Sequence, residues 1–364
     1  MNFERSPRQR ARPASGPADG GETVRRARAA DIARAAGVST ATVDRVLNRR
    51  PGVRPATAQR VVKAAAALGY LPEADLLATL RPKPMRLVFL LPAGTNRYLR
   101  RLGQYIAQAN EPLAPFNVDC RCQFVEAFNP EVLADALLRH GGKADGMAFM
   151  ALEHPLVREA VGALAERGVP VLTMISDLLH SRRAAYVGLD NRAAGRSAGF
   201  LLGRFLPQRS GKIALIAGSR SYRAHEEREM GFLHIREEMF PSIAVVGLRE
   251  GHDDSEQNYR QTRSLLRQHA DLVGIYNIGG ASDGVGRALK ESKRDRDIVF
   301  VGHGLTPDTR AMLIDGTMDA VITQDPEAIV LNCVRIFTNV RDGREPMTGV
   351  APTQISLFVR ENLP

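Results

Sequence analysis

Ser39, Thr40, Ala41 and Thr42 set three hydroxyls and a methyl at consecutive positions. Such short side chains keep a helix slim enough to enter a DNA major groove, and they can bond phosphates or base edges. The charge distribution fits that chemistry. Residues 1–63 hold 14 Lys/Arg against 5 Asp/Glu, whereas the remaining 301 residues hold 36 against 35, so all but one unit of the net charge of +10 sits at the front. A local cationic excess neutralises phosphates and releases counterions, so this end is expected to contact a polyanion. On charge alone, a solvated Arg-rich tail is the competing reading.

Elsewhere the chemistry-bearing residues argue against an enzyme. His252, Asp253 and Asp254 are metal-ligating types, but three adjacent side chains cannot all face one ion, so a solvated turn is expected there and no metal. GGASDGVGRAL (279–289) fails the GxGxxG spacing that cradles a dinucleotide, and neither a GxSxG elbow nor a GxxxxGK[ST] loop occurs. No cofactor is expected. Cys120 and Cys122, one residue apart, suit neither a disulfide framework nor a four-ligand zinc site, which favours a reducing cytoplasm. The N-terminal segment lacks the apolar run of a secretory signal, and no stretch of about 18 apolar residues is long enough to span a membrane.

These residues must be positioned by two kinds of element. Residues 1–22 are Pro, Gly, Ser, Ala and Arg, too poor in large apolar groups to offset ordering entropy, and read as a mobile basic arm. In ARAADIARAAG, Ile32, Ala33 and Ala36 share one helical face that ends at Gly37. Ser39 is a good N-cap for a second helix carrying Val43, Val46 and Leu47, and Pro55 opens a third helix that closes at Gly69. Three short helices with a glycine turn between the first two predict a helix-turn-helix unit. EADLLATLRPKP then reads as a hinge. Beyond it, MRLVFLLPA, DGMAFMAL, PVLTMISD, KIALIAG, LVGIYNIG, DIVFVGHG and MDAVITQ alternate with amphipathic segments over about 270 residues. That pattern predicts doubly wound parallel sheets, and the length suits two lobes better than one.

The segment AADIARAAGVSTATVDRVLNRRPGVRPATAQRVVKAAAALGYLP resembles the DNA-binding head of the lactose-repressor family. Asp31 to Asn48 meets D-[IV]-A-x-x-A-G-V-S-x-x-T-V-x-R-V-L-N at nearly every position. The later motifs VGLDNRAAGRSAG, REMGF and VITQD resemble, more loosely, the family's type I periplasmic-binding-protein sensor. The resemblance implies an all-α helix-turn-helix head joined to an α/β two-lobed sensor. Its domains would be an arm at 1–22, the DNA-binding head at 23–70, a hinge at 71–84, and a ligand-binding and dimerisation domain at 85–364. Lobe 1 would take about 85–190 and 326–342, and lobe 2 about 191–325 and 343–364.

The resemblance also implies roles. Thr40 and Ala41 would read base edges and Arg45 would reach a guanine, while Ser39 and Thr42 bond phosphates; Asn48 and Arg49 complete the DNA-facing set. Asp44 departs from the family's usual Ser, with Arg45 or Arg49 as its expected neutralising partner, and Arg54 departs from the usual Ser or Thr cap of helix three. The family's hinge inserts a leucine into the minor groove. Thr79 stands where that leucine belongs, leaving Leu77 or Leu80 as a shifted wedge, with a plain linker as the alternative.

By alignment to the family's sugar site, Asn96, Tyr98, Asp177, Asp190, Arg228, Asn277, His303 and Gln324 would hold a small polar effector, a sugar or sugar derivative. Tyr98 is the one evident aromatic clamp, so the pocket reads as more polar than a pentose site. A cyclitol, a sugar acid and a phosphorylated sugar all fit, and Arg97, Arg100 and Arg101 beside the mouth favour an anion. The implied protein is a cytoplasmic, nucleoid-associated homodimer on a palindromic double-stranded operator, a repressor whose lobes close on the effector and reset the spacing of its heads. The final TQISLFVRENLP lacks a heptad extension, so a dimer rather than a tetramer is expected. A sensor acting through a protein partner is the other reading, beside an α/β enzyme.

Overall fold

The computed structural model describes residues 27–48, 50–70, 83–206 and 210–364. The expected arm at 1–22, Arg49, and hinge residues 71–82 with Leu77 and Leu80 lie outside them. Contacts divide the chain into two units between Lys83 and Pro84.

In the first unit, α1 (Ala29–Ala36), α2 (Thr40–Leu47) and α3 (Pro55–Ala67) enclose a small core of Ile32, Ala36, Val43, Val46, Val61, Val62 and Ala65. Local signals set each boundary. Gly37 at φ 62° closes α1, a left-handed conformation that glycine adopts without Cβ strain. Ser39 Oγ accepts the Thr42 amide at 3.2 Å and so opens α2. Pro55 starts α3, whose cap position, Arg54, supplies no side-chain bond.

The second unit contains two sheets. One orders β2 (Val118–Val125), β1 (Met85–Pro92), β3 (Gly146–Phe149), β4 (Val171–Met174) and β5 (Ala185–Val187), all parallel. The other orders β7 (Ile243–Glu250), β6 (Gly211–Ala217), β8 (Leu272–Asn277), β9 (Val299–His303), β10 (Ala320–Thr323) and β11 (Ser356–Phe358). Only β11 pairs antiparallel. Helices α4 (Arg97–Gln108), α5 (Pro130–Gly141), α6 (Pro155–Glu166) and α12 (Pro326–Arg341) belong to the first sheet's core. The second sheet carries α7 (Asn191–Phe205), α8 (Arg223–Met239), α9 (Ser255–Gln268), α10 (Ser282–Glu291) and α11 (Pro307–Asp315). The chain therefore crosses between lobes three times, after β5, before α12 and before β11.

Each of the seven apolar runs contains an interior strand. The four strands that sequence reading passed over, β2, β5, β7 and β11, are the four sheet edges. An edge strand meets water on one side, so VDCRCQFV and IAVVGLRE carry mixed patterns that resemble loops. Strand order reverses between β1 and β3 in one sheet and between β6 and β8 in the other. In such sheets ligands bind beyond the carboxyl strand ends at the reversal point, so two such ends facing one another define the cleft.

Candidate functional site

On α2, Val43 and Val46 face the head core, while Thr40, Ala41, Asp44, Arg45 and Asn48 are exposed on the opposite side. Ser39 is exposed and Thr42 half-buried, their hydroxyls 3.0 Å apart. The Asp44 carboxylate is neutralised by a residue that sequence reading did not choose. It pairs with Arg50 Nη1 at 3.0 Å and accepts the Asn48 amide at 2.7 Å, which leaves Arg45 without an ion pair among the described residues.

In the second unit, the carboxyl strand ends of both lobes border one cavity of about 530 Å³, its mouth included. Asn96 and Tyr98 reach it from the start of α4, and Met150 and Ile175 from the ends of β3 and β4. His225 and Arg228 reach it from α8, and Asp253, Gly280, His303 and Gln324 from the ends of second-lobe strands. Of the eight sequence-predicted ligand residues, Asn96, Tyr98, Arg228, His303 and Gln324 meet here.

Asp177, Asp190 and Asn277 do not line it. Asp177 is clamped by Arg183 through Nε at 2.5 Å and Nη2 at 2.6 Å, and it also accepts Thr173 Oγ1 at 2.6 Å. Burial opposes its ionisation, but the Arg183 and Thr173 bonds win and hold its carboxyl below the usual range. Asp190 is exposed and caps α7, accepting the Ala193 amide at 2.9 Å. Asn277 holds the turn into α10 by donating to Gly280 O at 2.9 Å and Ser282 Oγ at 2.8 Å. A carboxylate or amide after a strand has local partners available, and here those partners take it.

Asp253 reverses the expectation of a solvated turn. It is buried at φ 52°, and its Oδ1 accepts the Gly280 amide at 2.7 Å. Its Oδ2 accepts Asn96 Nδ2 at 2.9 Å, and its backbone oxygen accepts Thr95 Oγ1 at 2.6 Å. One residue of lobe 2 thus ties down the first turn of α4 in lobe 1. Because β7 was not legible as a strand, nothing marked 252–254 as a strand end. His225 carried a faint signal, lying one helical turn before Arg228.

Arg228 is 6% exposed. Its Nε donates to Asn191 Oδ1 at 2.8 Å and its Nη1 to Ile278 O at 2.9 Å, both neutral acceptors. Two glycines permit this burial. A Cβ at Gly195 would strike the Arg228 backbone oxygen, and one at Gly231 would strike that of Arg192, so α7 and α8 approach closely enough to sink the guanidinium. Burial lowers the pKa values of the Arg228 guanidinium and of His225, and it holds His303 well below its usual range, where Arg228 and His225 also disfavour a second positive charge. His303 Nε2 is hydrogen-bonded to the Tyr276 hydroxyl at 2.8 Å. Both histidines are therefore neutral at pH 7.

Contacts at the cleft rim hold the lobes together. Arg97 pairs with Asp308 at 2.6 Å, and the Tyr98 hydroxyl donates to Gln324 O at 3.3 Å. The Phe128 ring packs edge-on against Tyr222 and His252 at 5.4 and 5.2 Å. Among the described residues no cluster of His, Cys, Asp or Glu is arranged to hold a metal, and no helix is long and apolar enough to cross a membrane.

Comparison with known proteins places both units. Residues 30–73 match the bacterial regulatory proteins of the lacI family, and residues 88–345 match the periplasmic binding protein domain. An uncharacterized HTH-type transcriptional regulator from the aml 5′ region of Streptomyces limosus is 31% identical over 353 residues, 95% of this chain and 90% of that protein. The HTH-type transcriptional repressor PurR of Pectobacterium atrosepticum is 25% identical over 249 residues, 68% of this chain and 70% of its own length. Among solved structures, GanP, a glucose-galactose binding protein from Geobacillus stearothermophilus, shares the fold at a TM-score of 0.69 and 23% identity, covering 78% of this chain and 100% of GanP. The chain belongs to the lacI family of DNA-binding bacterial regulatory proteins, with a sensor of the periplasmic-binding-protein fold.

Proposed function

We propose that this regulator is a cytoplasmic homodimeric repressor that binds a palindromic operator and is released or tightened by a small sugar-like effector in the interlobe cleft. The observation that carries this reading is the direct bond from Asp253 of one lobe to Asn96 of the other at the cavity wall. A ligand that contacts both lobes beside that bond binds the closed form better than the open one, and such differential affinity is what shifts a conformational equilibrium. On α2, the exposure of Thr40, Ala41 and Arg45 supports base reading, and Ser39, Thr42 and Asn48 are at hand for phosphates. Asn96, Tyr98, Arg228, His303 and Gln324, joined by His225 and Asp253, form the proposed effector site.

A gel shift of the full-length protein on palindromic sites from its own promoter region tests this. Retention should fall steeply between roughly 50 and 200 mM salt, Arg45→Ala should abolish preference for the site, and a sugar should change retention of the native protein. A sensor working through a protein partner predicts no shift at any salt concentration, and that result would end the repressor reading.

A further inference from the structure

Of the three arginines that favoured an anion in the sequence, Arg101 is exposed and outside the cavity lining, and the other two already have partners at the mouth. Arg97 is paired with Asp308 at 2.6 Å, and Arg100 Nε is bonded to Gly94 O at 2.8 Å. A cation with no direct ion pair among the described residues lies deeper. Arg228 is buried in the cavity wall, yet its hydrogen-bond partners are an amide oxygen and a backbone carbonyl, and among the described residues no carboxylate pairs with it. Asp253, the other charged group bordering the cavity, acts on Arg228 through space but makes no bond to it, its two oxygens being taken by Gly280 and Asn96. A guanidinium has five N–H donors in a planar fork, so those two bonds leave three for a planar, bidentate acceptor. Buried cations are expected to find a counter-charge, because desolvation without one costs several kcal/mol.

A second orphan stands in the same wall. Gln324 is 5% exposed and lines the cavity, and its side-chain oxygen is buried with no hydrogen-bond partner. It needs an O–H or N–H donor. Resting on the sensor reading above, we infer that the effector is a small polyhydroxy acid whose carboxylate meets Arg228 and one of whose hydroxyls donates to Gln324. One guanidinium fork matches a monoanionic carboxylate in charge and geometry, whereas a phosphate ester brings close to two charges that no second cavity cation answers.

Calorimetry on the full-length protein at neutral pH decides the matter without any variant. The probes are pentose and hexose series, each offered as the neutral aldose, the matching aldonate or uronate, and the aldose phosphate. In the series that binds, the acid should exceed its neutral parent by roughly 10- to 100-fold, the scale of a hydrogen-bonded charge. Arg228→Gln should erase that margin. Because Arg228 also anchors α8, a second variant guards the test. Gln324→Glu, isosteric and anionic, should lower acid affinity about tenfold more than neutral-sugar affinity. A neutral sugar that binds as well as its acid, or a phosphate that binds better, overturns the inference and leaves the sensor reading intact. Failure of every series overturns both.

Discussion

Replacing Asp253 by asparagine isolates the electrostatic part of lobe closure. The native residue sits at φ 52°, a left-handed conformation that asparagine tolerates almost as well as any non-glycine residue, so the backbone has little reason to move. The amide oxygen of the introduced side chain can still accept the Gly280 amide, a bond of 2.7 Å within lobe 2. Its NH2 then faces Asn96 Nδ2, and the 2.9 Å bond between lobes is replaced by two opposed donors. A hydrogen bond to a charged acceptor contributes about 1.5–3 kcal/mol, so the closed-to-open ratio should fall roughly 10- to 100-fold. Thr95 and the Arg97–Asp308 pair remain, so closure weakens without vanishing. Hydrogen exchange of the full-length protein reads this directly, as faster exchange in peptides covering 93–99 and 251–254 with little change inside β3 or β8. Asn96→Ser keeps an N-cap for α4 but removes the donor, so it should act alike, and the double variant should be no worse than either single one. Unchanged exchange in Asp253→Asn, or additive effects in the double variant, would falsify the claim that this bond holds the lobes.

Other consequences follow from the same geometry. Gly195→Ala should lower unfolding free energy by about 1–3 kcal/mol in urea titration because its Cβ meets the Arg228 backbone, whereas Gly162→Ala in α6, with nothing within 4 Å, should be neutral or gain up to about 1 kcal/mol. His225 and His303 have folded-state pKa values below the unfolded 6.5, so below that pH the unfolded chain takes up protons that the folded one refuses. Stability should therefore fall progressively as the pH drops through 6.5, and His303→Gln should recover part of the loss in melting curves. Asp44→Asn removes a negative charge from the exposed face of α2 and frees Arg50, so it should tighten binding to non-specific DNA by gel shift; weaker binding would mean that the Asp44–Arg50 pair organises the DNA-facing surface.

How much of this was legible follows how local each determinant is. The head was legible in detail because Gly37, Ser39 and Pro55 act within one or two turns of their own positions, and Val43 and Val46 need only helical spacing to find the core. Interior strands announced themselves because both their faces are dry, whereas the four edge strands did not. In the cleft, Arg228, His303 and Gln324 could be aligned because each lies at a motif. Asp177 and Asp190 looked equally eligible, and only their neighbours show otherwise. Arg183, six residues further on, claims the first, and the Ala193 amide of α7 claims the second.

Patterns that repeat along the chain gave the helix-turn-helix head and the alternating α/β sensor, and the resemblance of its motifs to a known family supplied the class of the protein and the candidate set from which a polar site is drawn. Tertiary structure alone decided which candidates face one another: that Asp253 makes a buried bond between lobes and that Arg228 lies buried with no carboxylate partner among the described residues. A side chain's charge is written in the chain, but the partner that answers it is chosen in space, as Asp253 finds Asn96 157 positions away.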